Sequence, residues 1–84
     1  MRASMRARVY ITLKTGVLDP AGQAVEKSLH ALGYEQVSQV RLGKFVELNV
    51  AAEEPVLAQK QIEAMCEKLL ANTVVENYRV ELLK

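Results

Sequence analysis

Apolar and polar residues alternate in RARVYITLK, residues 6–14: Val9, Ile11 and Leu13 fall on one face, Arg8, Tyr10 and Thr12 on the other. A repeat of two predicts a half-buried strand. The spacing then lengthens. Ala21, Val25, Leu29 and Leu32 recur at intervals of four, four and three, which is one apolar stripe along a helix. Asp19 followed by Pro20 marks its start, with the aspartate as N-cap and the proline at the first helical position. Gly33 stands just past the stripe, where a left-handed C-terminal cap forms most easily without a Cβ.

In YEQVSQVRL, residues 34–42, Val37 and Val40 have opposite parity, which predicts a strand that is bulged or starts late. Gly43-Lys44 reads as a hairpin tip. Residues 45–50 alternate again, with Val46, Leu48 and Val50 toward a core and Phe45, Glu47 and Asn49 away from it. Pro55 opens a second helix after the acidic pair Glu53-Glu54, which suits the helix dipole. Ala58, Ile62, Met65, Cys66 and Leu69 form its stripe, and Asn72 is a candidate C-terminal cap. Residues 74–83 close the chain as a strand with Tyr78, Val80 and Leu82 on one face.

The order strand, helix, strand, strand, helix, strand predicts a single α+β domain over residues 1–84. Its expected form is ferredoxin-like βαββαβ, a four-stranded antiparallel sheet with two helices on one face. The helix-free face would carry Tyr10, Thr12, Phe45, Glu47 and Asn49, and is a candidate partner surface.

Size and charge narrow the classes. A chain of 84 residues buries only roughly 60–65% of its unfolded surface, and a lone cysteine, Cys66, allows no disulfide framework. Association with another chain is therefore expected, and the unpaired thiol fits a reducing compartment, most simply the cytoplasm. Eleven Lys and Arg against ten Asp and Glu give a formal charge of +1, no basis for binding nucleic acid or an anionic membrane. Arg2, Arg6 and Arg8 precede an apolar run, but Val9–Leu13 is too short for a signal core or a membrane span. Met5 is an alternative start to Met1.

Candidate chemistry is sparse. Cys66 lies within an apolar stripe and reads as core; His30, four residues after Glu26, reads as half of a surface pair. One His and one Cys cannot supply a four-ligand metal site. Gly16 and Gly22 have five residues between them and Gln23 stands where a P-loop needs Lys, while Asp19 would occupy the anion's place. RLGKFVEL, 41–48, partly echoes an RNA-recognition signature, but Leu42, Gly43 and Leu48 replace its glycine and two of its aromatics. No catalytic, cofactor-binding or metal-binding residue is expected.

Four stretches together resemble the PurS family, the small subunit of phosphoribosylformylglycinamidine (FGAM) synthase. They are Val9, Ile11, Leu13, Lys14, Gly16, Val17, Leu18, Asp19, Pro20 and Gly22; Leu29, Leu32 and Gly33; Val40, Arg41, Gly43 and Lys44; and Leu69, Leu70, Asn72, Val74, Glu76 and Tyr78. Ala21 departs from the Gln or Glu usual after the Asp-Pro pair, and the segment before Arg8 is longer than usual. The resemblance implies a non-catalytic subunit of a glutamine-hydrolysing ligase complex in purine (IMP) biosynthesis. This chain would join a large synthetase subunit, which holds ATP and magnesium, to a glutaminase subunit and support ammonia transfer between them. It would form a dimer or a tetramer. Lys14, Asp19, Pro20, Arg41, Gly43 and Lys44 are its candidate docking residues. The alternative reading is a stand-alone ferredoxin-like module that binds a small regulatory molecule.

Overall fold

The computed structural model describes residues 4–83. In chain order it contains strand β1 (Ser4–Leu13), helix α1 (Pro20–Ala31), strand β2 (Gly43–Ala51), helix α2 (Pro55–Met65) continued by a π-helical turn (Cys66–Leu70), and strand β3 (Glu76–Leu83). The strands form one antiparallel sheet in the order β2-β1-β3. The expected four-stranded ferredoxin-like sheet is thus corrected to three strands.

Residues 34–42 account for the missing strand. They run back along α1, and that helix's side chains take the backbone groups a strand ladder would have used. Leu42 N–H donates to Asp19 Oδ2 at 2.8 Å, Val40 N–H donates to Glu26 Oε1 at 3.0 Å, and Val37 O lies 2.7 Å from His30 Nε2. Asp19, Glu26 and His30 are spaced i, i+7 and i+11 and so share one helix face. Backbone polar groups shielded from water need partners, and here a helix supplies them. Gly43-Lys44 is accordingly the start of β2 rather than a hairpin tip, and His30 and Glu26 each serve this return segment instead of pairing with each other.

Both ends of α1 follow the sequence signals. Asp19 Oδ1 accepts the Gly22 N–H at 2.8 Å and Pro20 sits in the first turn. At the other end Gly33 has φ +105°, with Gly33 N–H donating to His30 O and Tyr34 N–H to Leu29 O, a Schellman cap.

The core lies between the sheet and α2. Val9 faces Val46 on one side and Val80 on the other, and Ala7 faces Leu48 and Leu82, so one face of the sheet is continuously apolar. Ala7, Val9, Ile11, Ala58, Ile62 and Cys66 are all buried there. Met65 and Leu69 of the expected α2 stripe are instead exposed. At Leu69 the π turn explains the change: Ala71 N–H donates to Cys66 O, five residues back, and the wider turn swings Ala71 and Leu70 onto the sheet and Leu69 out. Asn72 caps a turn with Oδ1 accepting Val74 N–H, while the helix itself ends at Ala71.

Helix α1 does not cover the sheet. It continues outward past the end where β1 stops and β2 begins, which gives a molecule 54 × 25 × 14 Å in extent. The radius of gyration is 16.6 Å, against about 12 Å for a compact chain of this length.

Candidate docking end of the sheet

All six residues singled out from sequence lie at that one end, where β1 runs out, the α1 arm departs and returns, and β2 and β3 begin. Their roles separate there. Asp19 is buried and holds Gly22 and Leu42, two backbone donors that keep its carboxyl below the ordinary carboxylate range. Pro20 sets the first turn of α1. Gly43 passes so close to β1 that a Cβ would stand 2.5 Å from Ile11 O. These three are framework.

Lys44 is also engaged internally. Its Nζ reaches across β1 to Glu76 Oε2 at 3.5 Å and to Leu70 O at 3.5 Å. Glu76 in turn accepts the Asn72 N–H through Oε1. Sequence reasoning did not place Glu76 in the site, yet a signal was present: Lys44 shares the parity of Val46 and Leu48, and Glu76 that of Tyr78 and Val80. A charge on an apolar face calls for a partner. Tyr78 and Glu67 were likewise not foreseen; Tyr78 donates its hydroxyl to Glu67 Oε2 at 2.8 Å, and that bond pushes the phenol up to about 12.

Lys14 and Arg41 remain. Arg41 Nη2 donates to Lys14 O at 3.2 Å, and among the described residues neither side chain has a carboxylate within ion-pair distance. Arg41 lines an open cavity of about 610 Å³ with Thr12, Leu13, Thr15, Gly16 and Gln39. Two left-handed residues shape its wall, Gly16 at φ +88° and Gln39 at φ +56°. For a glutamine that conformation is uncommon and is kept only where surrounding contacts impose it.

The helix-free face carries Tyr10, Thr12, Phe45, Glu47 and Asn49 as the alternation predicts. It is a network of charges. Glu47 pairs with Arg6 at 3.3 Å and Arg8 at 3.2 Å, and Tyr10 donates to Glu81. The Arg79 guanidinium lies 4.2 Å over the Tyr10 ring, whose centroid is 5.2 Å from that of Phe45. Phe45 is therefore one side of an internal aromatic contact.

No three His, Cys, Asp or Glu side chains among the described residues gather as a metal site, and no described helix is long and apolar enough to cross a membrane. The geometry offers a charged end of a sheet with Lys14 and Arg41 outside any ion pair among the described residues.

The family described as "PurS: Phosphoribosylformylglycinamidine (FGAM) synthase" matches residues 6–84. The phosphoribosylformylglycinamidine synthase subunit PurS of Synechocystis sp. is 51% identical over 82 residues, covering 98% of this chain and 82% of that protein. The crystal structure of the PurS subunit from Thermotoga maritima superposes with a TM-score of 0.91 at 32% identity, over 99% of this chain and 95% of that one. A chain in the structure of PurLQS from Thermotoga maritima gives 0.89 at 33% identity, over 96% and 99%.

Proposed function

Since this chain belongs to the PurS family of FGAM synthase subunits, we propose that it is the non-catalytic small subunit of such a synthase, working in the cytoplasm in purine biosynthesis. It joins a large synthetase subunit to a glutaminase subunit and supports the passage of ammonia between them, while ATP and magnesium are held by the large subunit. It also associates with itself. The observation that carries this reading is the agreement in fold over 96% of the chain with a chain from PurLQS of Thermotoga maritima.

Docking falls to Lys14 and Arg41. Neither makes an ion pair among the described residues, whereas Asp19, Pro20, Gly43 and Lys44 hold the end of the sheet in shape. The test combines this protein with the large subunit and the glutaminase and follows glutamine-dependent product and co-elution. Omitting the chain should abolish both. Undiminished glutamine-dependent turnover without it overturns the reading.

A further inference from the structure

Resting on the reading that Lys14 and Arg41 dock this chain on the large subunit, we propose that Arg41 and the cavity beside it form a socket for a single carboxylate. The group is an Asp or Glu side chain of the large subunit, held by the planar fork of the guanidinium, and Lys14 serves a separate contact.

Arg41 is held in place and only partly used. Its Nη2 donates to Lys14 O at 3.2 Å, one of the five N–H donors a guanidinium carries, and the other four have no acceptor among the described residues. Asp19 feels the charge, as the least of the influences on its carboxyl, but both its oxygens are taken by the Gly22 and Leu42 N–H groups. The backbone on either side of Arg41 is pinned to the α1 arm, Val40 N–H on Glu26 and Leu42 N–H on Asp19. Lys14 O also accepts the Val17 N–H at 3.1 Å, which closes a turn through Gly16. The side chain is thus tethered at both ends, and a tethered fork loses less freedom when it binds.

The cavity selects the class of ligand. Its volume is about 610 Å³, and among the described residues Arg41 is the one charged group that lines it. Thr12 and Thr15 bring hydroxyls, which can donate to the remaining lone pairs of an oxyanion. One positive charge matches a carboxylate, whereas a phosphate monoester carries about 1.5–2 negative charges and calls for more. The cavity is also open. A free metabolite would stay largely in water there, while an apposed protein surface would close it.

Lys14 faces other chemistry. It lines a second cavity, of about 310 Å³, together with Glu67 and Glu76. A carboxylate entering there would meet two like charges, so the two cations are not halves of one anion site.

The experiment measures the affinity of the full chain for the large subunit, with the glutaminase present, at constant ionic strength and with circular dichroism as a check on folding. Arg41→Gln should weaken binding roughly 30-fold or more, and Arg41→Lys about tenfold, because lysine keeps the charge and loses the fork. Lys14→Gln should cost about threefold or less. In Arg41→Lys a carbodiimide should join the new amine to one Asp or Glu of the large subunit, with loss of water, and peptide mass spectrometry locates it. Reversing that acid to Lys should restore binding to Arg41→Glu. Exchanging chloride for inorganic phosphate at the same ionic strength should change the affinity little. Wild type that does not bind the large subunit overturns the docking reading itself. Three results overturn the socket while leaving docking standing: Arg41→Lys that binds like wild type, Lys14→Gln that costs as much as Arg41→Gln, or strong competition by phosphate.

Discussion

Leu42 N–H donates to Asp19 Oδ2 at 2.8 Å, although the two residues are 23 positions apart. The other oxygen of the same carboxylate caps α1 through Gly22 N–H. One side chain therefore starts the arm and fixes the point at which the chain re-enters the sheet. Asp19→Ala removes both bonds and should lower Tm by about 5 °C or more. Asp19→Asn keeps one acceptor oxygen and should fall between.

The same residue sets an acid limb. Its carboxyl is held below the ordinary value of 3.8 by the two backbone donors, Leu42 first. The folded state therefore binds this proton less tightly than the unfolded chain. Stability from the site is complete well above that ordinary value and drains away as pH falls below it, through the lowered folded value. Denaturant titrations between pH 6 and 2 should show this loss in wild type and a shallower one in Asp19→Asn.

Gly22 is a second pin on the arm. A Cβ there would stand 2.5 Å from Val40 O and 2.7 Å from Asp19 Oδ2, so Gly22→Ala has to push the return segment off the helix. The expected cost is roughly 1–3 kcal/mol, measured by chemical denaturation. Amide exchange should quicken at Val40 and Leu42 and stay slow in β1. Slow exchange at both positions in the variant would show that the segment is held by something other than this contact.

Burial pushes the Cys66 thiol up, and the side chain, at the start of the π turn, is fully buried. Its reaction with a thiol reagent at pH 8 should be slow in the folded protein and should track denaturant unfolding. Fast labelling under native conditions would place Cys66 outside the core. Ile62→Ala, which empties a fully buried position one turn away, should cost about 2–5 kcal/mol and accelerate that labelling.

Tyr78 gives a site-specific reporter for the π turn. Its phenol is pushed up to about 12, chiefly by the hydrogen bond it donates to Glu67. Glu67→Gln should lower that midpoint, followed by NMR at the Tyr78 ring. An unchanged midpoint would remove Glu67 as the cause.

The elements that rest on local rules could be read without coordinates. Asp19-Pro20 starts α1, Gly33 ends it, and the period-two runs of Val9–Ile11, Val46–Val50 and Tyr78–Leu82 all share the apolar face. The segment at 34–42 could not be read from its own composition, because its partners are side chains of a helix begun fifteen residues earlier. Its conflicting parity at Val37 and Val40 was the warning, and Asp19, Glu26 and His30 on one helix face were the missing half. The inward charge pair at the docking end was visible in parity alone, but only once β2 and β3 were known to flank β1.

That pair separates framework from docking. Lys44 and Glu76 meet over β1 and tie β2 to β3, so Lys44→Glu should lower Tm by several degrees, roughly 1 kcal/mol, with the double reversal Lys44→Glu/Glu76→Lys regaining most of it. The double reversal should still co-elute with the large subunit, because the contact it changes is internal. Arg41→Glu should behave oppositely. Among the described residues its guanidinium makes one hydrogen bond, to the Lys14 carbonyl, and acts on Asp19 only as the smallest of that carboxylate's influences, so reversal should cost a few °C in Tm at most and weaken co-elution, further so with Lys14→Glu. If Arg41→Glu/Lys14→Glu assembles like wild type, these two charges do not face the large subunit, and the docking surface lies elsewhere on the chain.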